Sequence, residues 1–159
     1  MWLFRELRIA VFKNRLLIDS RRPPMNPNNY GSLEACQRLV AAGIVLETEN
    51  VWAFVPILRM VGGIEGNPPG KWELIQKPLF PYKDQVPASS MADVWRELPE
   101  CIAADDVTWA FLTMGKMGDM TKVSYGPSWN ALQGFLNTNP TDALIYLRIW
   151  LEERKGKKG

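Results

Sequence analysis

The spacing of apolar residues is clearest over 137–151, NTNPTDALIYLRIWL. Ala143, Leu144, Leu147, Trp150 and Leu151 recur at intervals that place them on one broad helix face. Asn139 stands where an N-cap accepts from the first free backbone N–H groups, and Pro140 takes the first helical position. Asp142 adds negative charge in the first turn, where the helix dipole favours it. The pattern predicts an amphipathic helix that covers the second half of the chain. Two shorter helices are predicted in the same way. Ser32 caps 33–42, with Leu33, Cys36, Leu39 and Val40 on one face and Gly43 as terminator. Ser89 or Ser90 caps a helix through Met91, Val94, Trp95 and Leu98, which Pro99 ends.

Elsewhere the pattern is that of strands. Residues 44–48 and 51–55 flank Glu49-Asn50, which suits a tight hairpin turn, and a further strand centres on Trp72, Leu74 and Ile75. The glycine-rich loop 62–70 between them has the wrong spacing for a phosphate loop and lacks its Lys-Ser/Thr pair. Residues 107–114 and 120–125 form a second hairpin about a turn at 115–119. Residues 129–136 fit either period, and the bracketing by Gly126-Pro127 and Asn137 favours a strand.

These elements define an α+β fold: short antiparallel hairpins or sheets packed with about three helices. Ser32 through Phe54 parallels Ser90 through Phe111, with Val-Trp-Ala-Phe answering Thr-Trp-Ala-Phe, which predicts a two-fold helix-hairpin duplication. The chain divides into a basic segment 1–24, a helix with antiparallel strands over 25–75, a Pro-containing linker 76–88, and a second helix, hairpin and amphipathic helix over 89–159. Three readings compete for 1–24: a docked helix, a basic arm for membrane or nucleic acid, or a stretch upstream of the true start.

Composition changes this picture little. With 47% apolar and 23% charged residues in 159, the chain is long enough for a real core and ordinary for a globular protein. Charge is more informative. The net +2 is uneven: residues 1–24 carry +4 and 152–159 carry +2, which leaves the body at −4. Basic ends offer a nucleic-acid surface, with Arg154, Lys155, Lys157 and Lys158 as its candidate residues. No apolar run approaches the roughly 20 residues of a membrane span. Arg5, Glu6, Arg8 and Lys13 interrupt the N-terminus too often for a signal peptide. No membrane partner is expected. Cys36 and Cys101 are the only cysteines and form no disulfide framework, which fits a reducing, cytoplasmic setting.

The chain has no histidine. Ser-His and Cys-His catalysis and the usual zinc sites are therefore excluded, and no catalytic residue, metal ligand set or cofactor site is predicted. Carboxylates are what remains for acid–base work: Asp105, Asp106, Asp119, Glu47 and Glu49, each at an expected turn, where Asp serves backbone needs. Seven tryptophans exceed the usual number, and Trp52, Trp72 and Trp129 are the candidate anchors for a partner.

The runs CQRLVAAGIVLET (36–48), VPASSMADVWRELP (86–99) and NPTDALI (139–145), with Trp52, Trp150 and Leu151, resemble small uncharacterised proteins encoded by phages and prophages. The resemblance implies a mobile-element accessory protein and transfers no activity. The expectation is a non-enzymatic protein that binds a host or phage protein, with modulation of a host system as one such role; the alternative is a nucleic-acid accessory protein using its basic ends. A homodimer would be unsurprising given the apolar helix faces.

Overall fold

A computed structural model describes residues 25–56, 70–79, 84–126 and 131–156. Its elements are α1 (Leu33–Ala41), β1 (Asn50–Pro56), β2 (Gly70–Gln76), β3 (Gln85–Pro87), α2 (Met91–Glu97), β4 (Cys101–Ala103), β5 (Trp109–Met117), β6 (Met120–Tyr125), β7 (Gln133–Asn137) and α3 (Pro140–Gly156). A 3-10 turn, Pro27–Asn29, precedes them. The fold is α+β, with two antiparallel sheets in the orders β2-β1-β3 and β4-β5-β6-β7. The basic segment 1–24 and the loop residues 62–69 lie outside the described residues.

Each helix begins where its side chains can take up free backbone donors. Ser32 Oγ accepts from Ala35 N in α1. In α2 the capping is reciprocal: Ser90 Oγ accepts from Asp93 N, and Asp93 Oδ2 accepts from Ser90 N. Asn139 Oδ1 accepts from Thr141 N at 2.9 Å at the start of α3. Gly43, at φ 77°, closes α1 by letting Ile44 N donate back to Leu39 O and its own N–H to Val40 O. That arrangement needs a left-handed residue, which glycine supplies at least cost.

The strand pairing departs from the expected first hairpin. Residues 44–48 form no strand, and Glu49-Asn50 is not a turn. Asn50 opens β1, where its carbonyl accepts from Ala88 N while Glu49 O accepts from Lys77 N. The true partners of β1 are β2, with Trp52 opposite Leu74 and Phe54 opposite Trp72, and β3, with Trp52 opposite Val86. Residues 85–87, read as part of a linker, thus close one edge of β1. The second hairpin is present and longer than expected: Met117 pairs with Met120 across Gly118-Asp119, and Gly118 takes φ 67°. Residues 133–137 are a strand, as the bracketing favoured, and β4 is an element the pattern did not reveal.

One apolar core joins residues from both halves of the chain. Cys36 and Leu39 of α1, Val94 of α2, Val123 and Tyr125 of β6, and Leu144, Ile145 and Leu147 of α3 are all essentially inaccessible to solvent. Helix α3 lies across β6 and β7 and also touches α1 and α2. Its burial exceeds that of a surface amphipathic helix, because Thr141 through Ile145 are all buried.

A short stretch, 28–32, which runs from the end of the 3-10 turn into α1, ties these elements together. Gly31 N donates to Ser89 O, and Gly31 O accepts from the indole N–H of Trp52 at 2.9 Å and from the thiol of Cys36. Ser32 N donates to Asp142 Oδ1 at 2.7 Å, and Asn139 Nδ2 donates to Tyr30 O at 2.9 Å. The Tyr30 hydroxyl accepts from Asn50 Nδ2 at 2.8 Å. A Cβ at Gly31 would collide with the tip of Ile145 and press on Cys36, so any side chain there must displace the buried Ile145.

Two predictions follow from this packing. Asp142→Ala leaves Ser32 N without its acceptor and lowers the unfolding free energy by about 2–3 kcal/mol, whereas Asp142→Asn, which keeps an amide oxygen, costs about half as much. Urea unfolding of the two variants checks the ranking; equal losses would mean that the bond contributes nothing.

The second concerns alkaline pH. Burial pushes the Cys36 thiol from its ordinary 9.0 to about 11, and pushes Tyr125 from 10.0 to about 12. Both folded pKa values are raised in groups that are neutral when protonated. The unfolded chain therefore releases these protons first, and stability is complete below about pH 9 and declines between about pH 9 and 12. The urea midpoint should fall across that window, with a smaller fall in Cys36→Ala.

Candidate interaction surface

The four-stranded sheet has two unlike faces. Strand alternation turns Ile102, Ala110, Leu112, Val123, Tyr125 and Phe135 toward α3, where they join or border the core. The other set of alternating residues then faces away from α3. On β5 these are Trp109, Phe111, Thr113, Gly115 and Met117. The cross-strand register adds Cys101 and Ala103 from β4, Met120, Lys122 and Ser124 from β6, and Gly134 and Leu136 from β7.

An antiparallel sheet with one open face ordinarily carries polar residues on it. Here Trp109 is 60% exposed, Phe111 62%, Met117 56% and Leu136 49%. Sheet register explains why the two aromatic rings stand uncovered. Trp109 lies opposite Ala103 and Phe111 opposite Cys101, both small, and on its other side Phe111 accepts from the N–H of Gly126. No neighbouring side chain is large enough to shield either ring from these strands. The two methionines at the hairpin tip extend the apolar surface along β5, and thioethers adapt readily to irregular partners.

The tryptophans singled out from sequence fall elsewhere. Trp52 is half-buried, with its indole N–H bound to Gly31 O, so it holds the fold together. Trp72 is half-buried in an edge-to-face contact with Phe54, ring centroids 5.8 Å apart. Trp129 lies outside the described residues. Sequence reading missed Trp109 and Phe111 as surface anchors, although a signal was present. Residues 109–112, Trp-Ala-Phe-Leu, are apolar at every position, and a strand apolar on both faces needs a cover on both.

The basic candidates are partly engaged within the chain. Arg154 Nη2 donates to Ala103 O at 2.8 Å, and its guanidinium lies 5.5 Å from the centre of the Trp150 ring. Lys155 is exposed, with Nζ 3.5 Å from Glu152. Lys157 and Lys158 lie outside the described residues.

Of the five candidate carboxylates, only Glu47 and Glu49 share a cleft. Asp105 Oδ1 accepts from Val107 N and Thr108 N, which holds its carboxyl below the usual range and identifies it as a turn residue. Asp106 and Asp119 are exposed at turns, whereas Glu47 and Glu49 border a polar cleft with Tyr30, Lys77, Asp93 and Arg96. Among the described residues no three His, Cys, Asp or Glu side chains are grouped to hold a metal ion, and no helix is long and apolar enough to cross a membrane.

No protein family, curated protein or solved structure matches this chain, so the functional argument rests on its own surfaces.

Proposed function

We propose that this chain acts by holding another protein against the outer face of β4–β7, as a non-enzymatic binding protein. The observation that carries this reading is the exposure of Trp109 and Phe111 side by side on a sheet face whose opposite side, through Ala110, Leu112, Val123 and Tyr125, already packs on the core. Aromatic and methionine side chains in such a setting are the residue types that anchor protein interfaces. The resemblance to phage and prophage proteins makes a host or phage protein the partner to seek.

The rings take no part in the core. Replacing both, Trp109→Ala with Phe111→Ala, should lower the unfolding free energy by no more than about 2 kcal/mol, through lost strand propensity and cross-strand contact. Partner recovery should respond far more strongly. Loss of two anchors weakens binding at least about tenfold. Quantitative affinity capture from host lysate, comparing the parent, the double variant and a control at the equally exposed Val45, tests this. A partner that survives the double variant and the control alike would refute the assignment of this face. Sedimentation equilibrium of the same proteins identifies the case in which the partner is a second copy.

A further inference from the structure

We propose that a cavity between the C-terminal half of α3, strand β4 and the segment that follows α2 binds a small organic carboxylate with a short apolar body. This site meets the sheet face described above only at Ala103. The cavity is open to solvent on one side and has a volume of about 220 Å³. Its walls divide by chemistry. Pro99, Ile102, Ala103 and Leu151 supply apolar contact, while Arg148, Arg154 and Lys155 supply positive charge from the last turns of α3.

Arg148 carries the argument. Its side chain is 13% exposed, and Nη1 donates to Glu152 Oε2 at 2.8 Å. Its Nε is buried and has no hydrogen-bond partner. Nε is sealed from solvent and Nη1 is given to Glu152, so a ligand in the cavity would meet this guanidinium through Nη2, and such a planar charged donor suits an oxyanion. Arg154 is held in place by Ala103 O and the Trp150 ring, with further N–H donors of its guanidinium beyond the one given to Ala103.

Charge and volume select the ligand class. The three cations face Glu97 on the lining and Glu152 beside it, so the site carries one net positive charge. That balance suits a monoanion better than a phosphate dianion. A space of 220 Å³ corresponds to about seven waters, room for a carboxylate with a chain of a few carbons.

Butyrate is the probe. The full chain is titrated with butyrate, with 1-butanol as its uncharged counterpart and with inorganic phosphate. The Nε–H resonance of Arg148, assigned through its disappearance in Arg148→Lys, is followed by NMR. The expected result is a saturable shift with butyrate and a Kd of about 1–10 mM, as befits a ligand of this size. Butanol and phosphate should bind at least about tenfold more weakly, for want of charge and of apolar contact respectively. Lys155→Ala, at a side chain that is 71% exposed, should weaken butyrate about two- to fivefold without touching the fold, and Arg154→Ala more. A shift that never saturates, equal binding of butanol or phosphate, or full affinity in both variants would overturn the proposal.

Discussion

The hydrogen bonds made by residues 28–32 are the constraint on which the rest of the structure depends. That stretch has no helical or strand ladder of its own beyond its 3-10 turn and one isolated bridge from Tyr30 to Ser90. Around Gly31, which is buried, backbone without a ladder must find partners elsewhere, or each orphaned group costs free energy comparable to a lost hydrogen bond. Here the partners come from several elements at once: the indole of Trp52 in β1, the carbonyl of Ser89 before α2, and the side chains of Asn139 and Asp142 at the start of α3. The satisfied segment therefore fixes where β1, α1, α2 and α3 stand relative to one another. Gly31 is the point of closest approach, with Ile145 and Cys36 packed where a side chain would begin.

The same network explains which parts of the fold were legible in the sequence. Asn139, Pro140 and Asp142 announce α3 because capping and helical period are local properties. Ser32 with Gly43 and Ser90 with Asp93 announce α1 and α2 for the same reason. The Met117–Met120 hairpin is also local, since strand, turn and strand are contiguous. By contrast, the partner of β1 is set by tertiary contacts. Glu49-Asn50 has the composition of a turn, but the Asn50 carboxamide is taken by Tyr30 and its carbonyl by Ala88, and neither contact can be read from adjacent residues. β4 escaped notice because a three-residue strand has too little period to detect. Trp52 and Trp109 illustrate the limit at the candidate surface. Both are tryptophans in apolar strands, and only the packing around Gly31 and the small residues of β4 separate a structural ring from an exposed one.

The two faces of the four-stranded sheet also divide the work of the fold. Helix α3 covers one face over β6 and β7 with residues buried between Thr141 and Leu151, so the core does not need the other. Trp109 and Phe111 thereby stand outside the core, each more than half exposed. Surface and core can vary independently in such an arrangement. A binding face of this kind is open to change in shape and chemistry while the scaffold behind it stays fixed.

The bond from Ser32 N to Asp142 Oδ1 spans 110 residues of sequence. Contacts of such long range make loop closure a late and slow event. During synthesis the segment around Gly31 leaves the ribosome well before α3 exists, and until then its polar groups can be satisfied only by water. The α1 face that α3 will cover is exposed over the same interval. Completion of the core thus coincides with the arrival of α3, and the nascent chain presents its apolar surfaces to the cell before it can bury them.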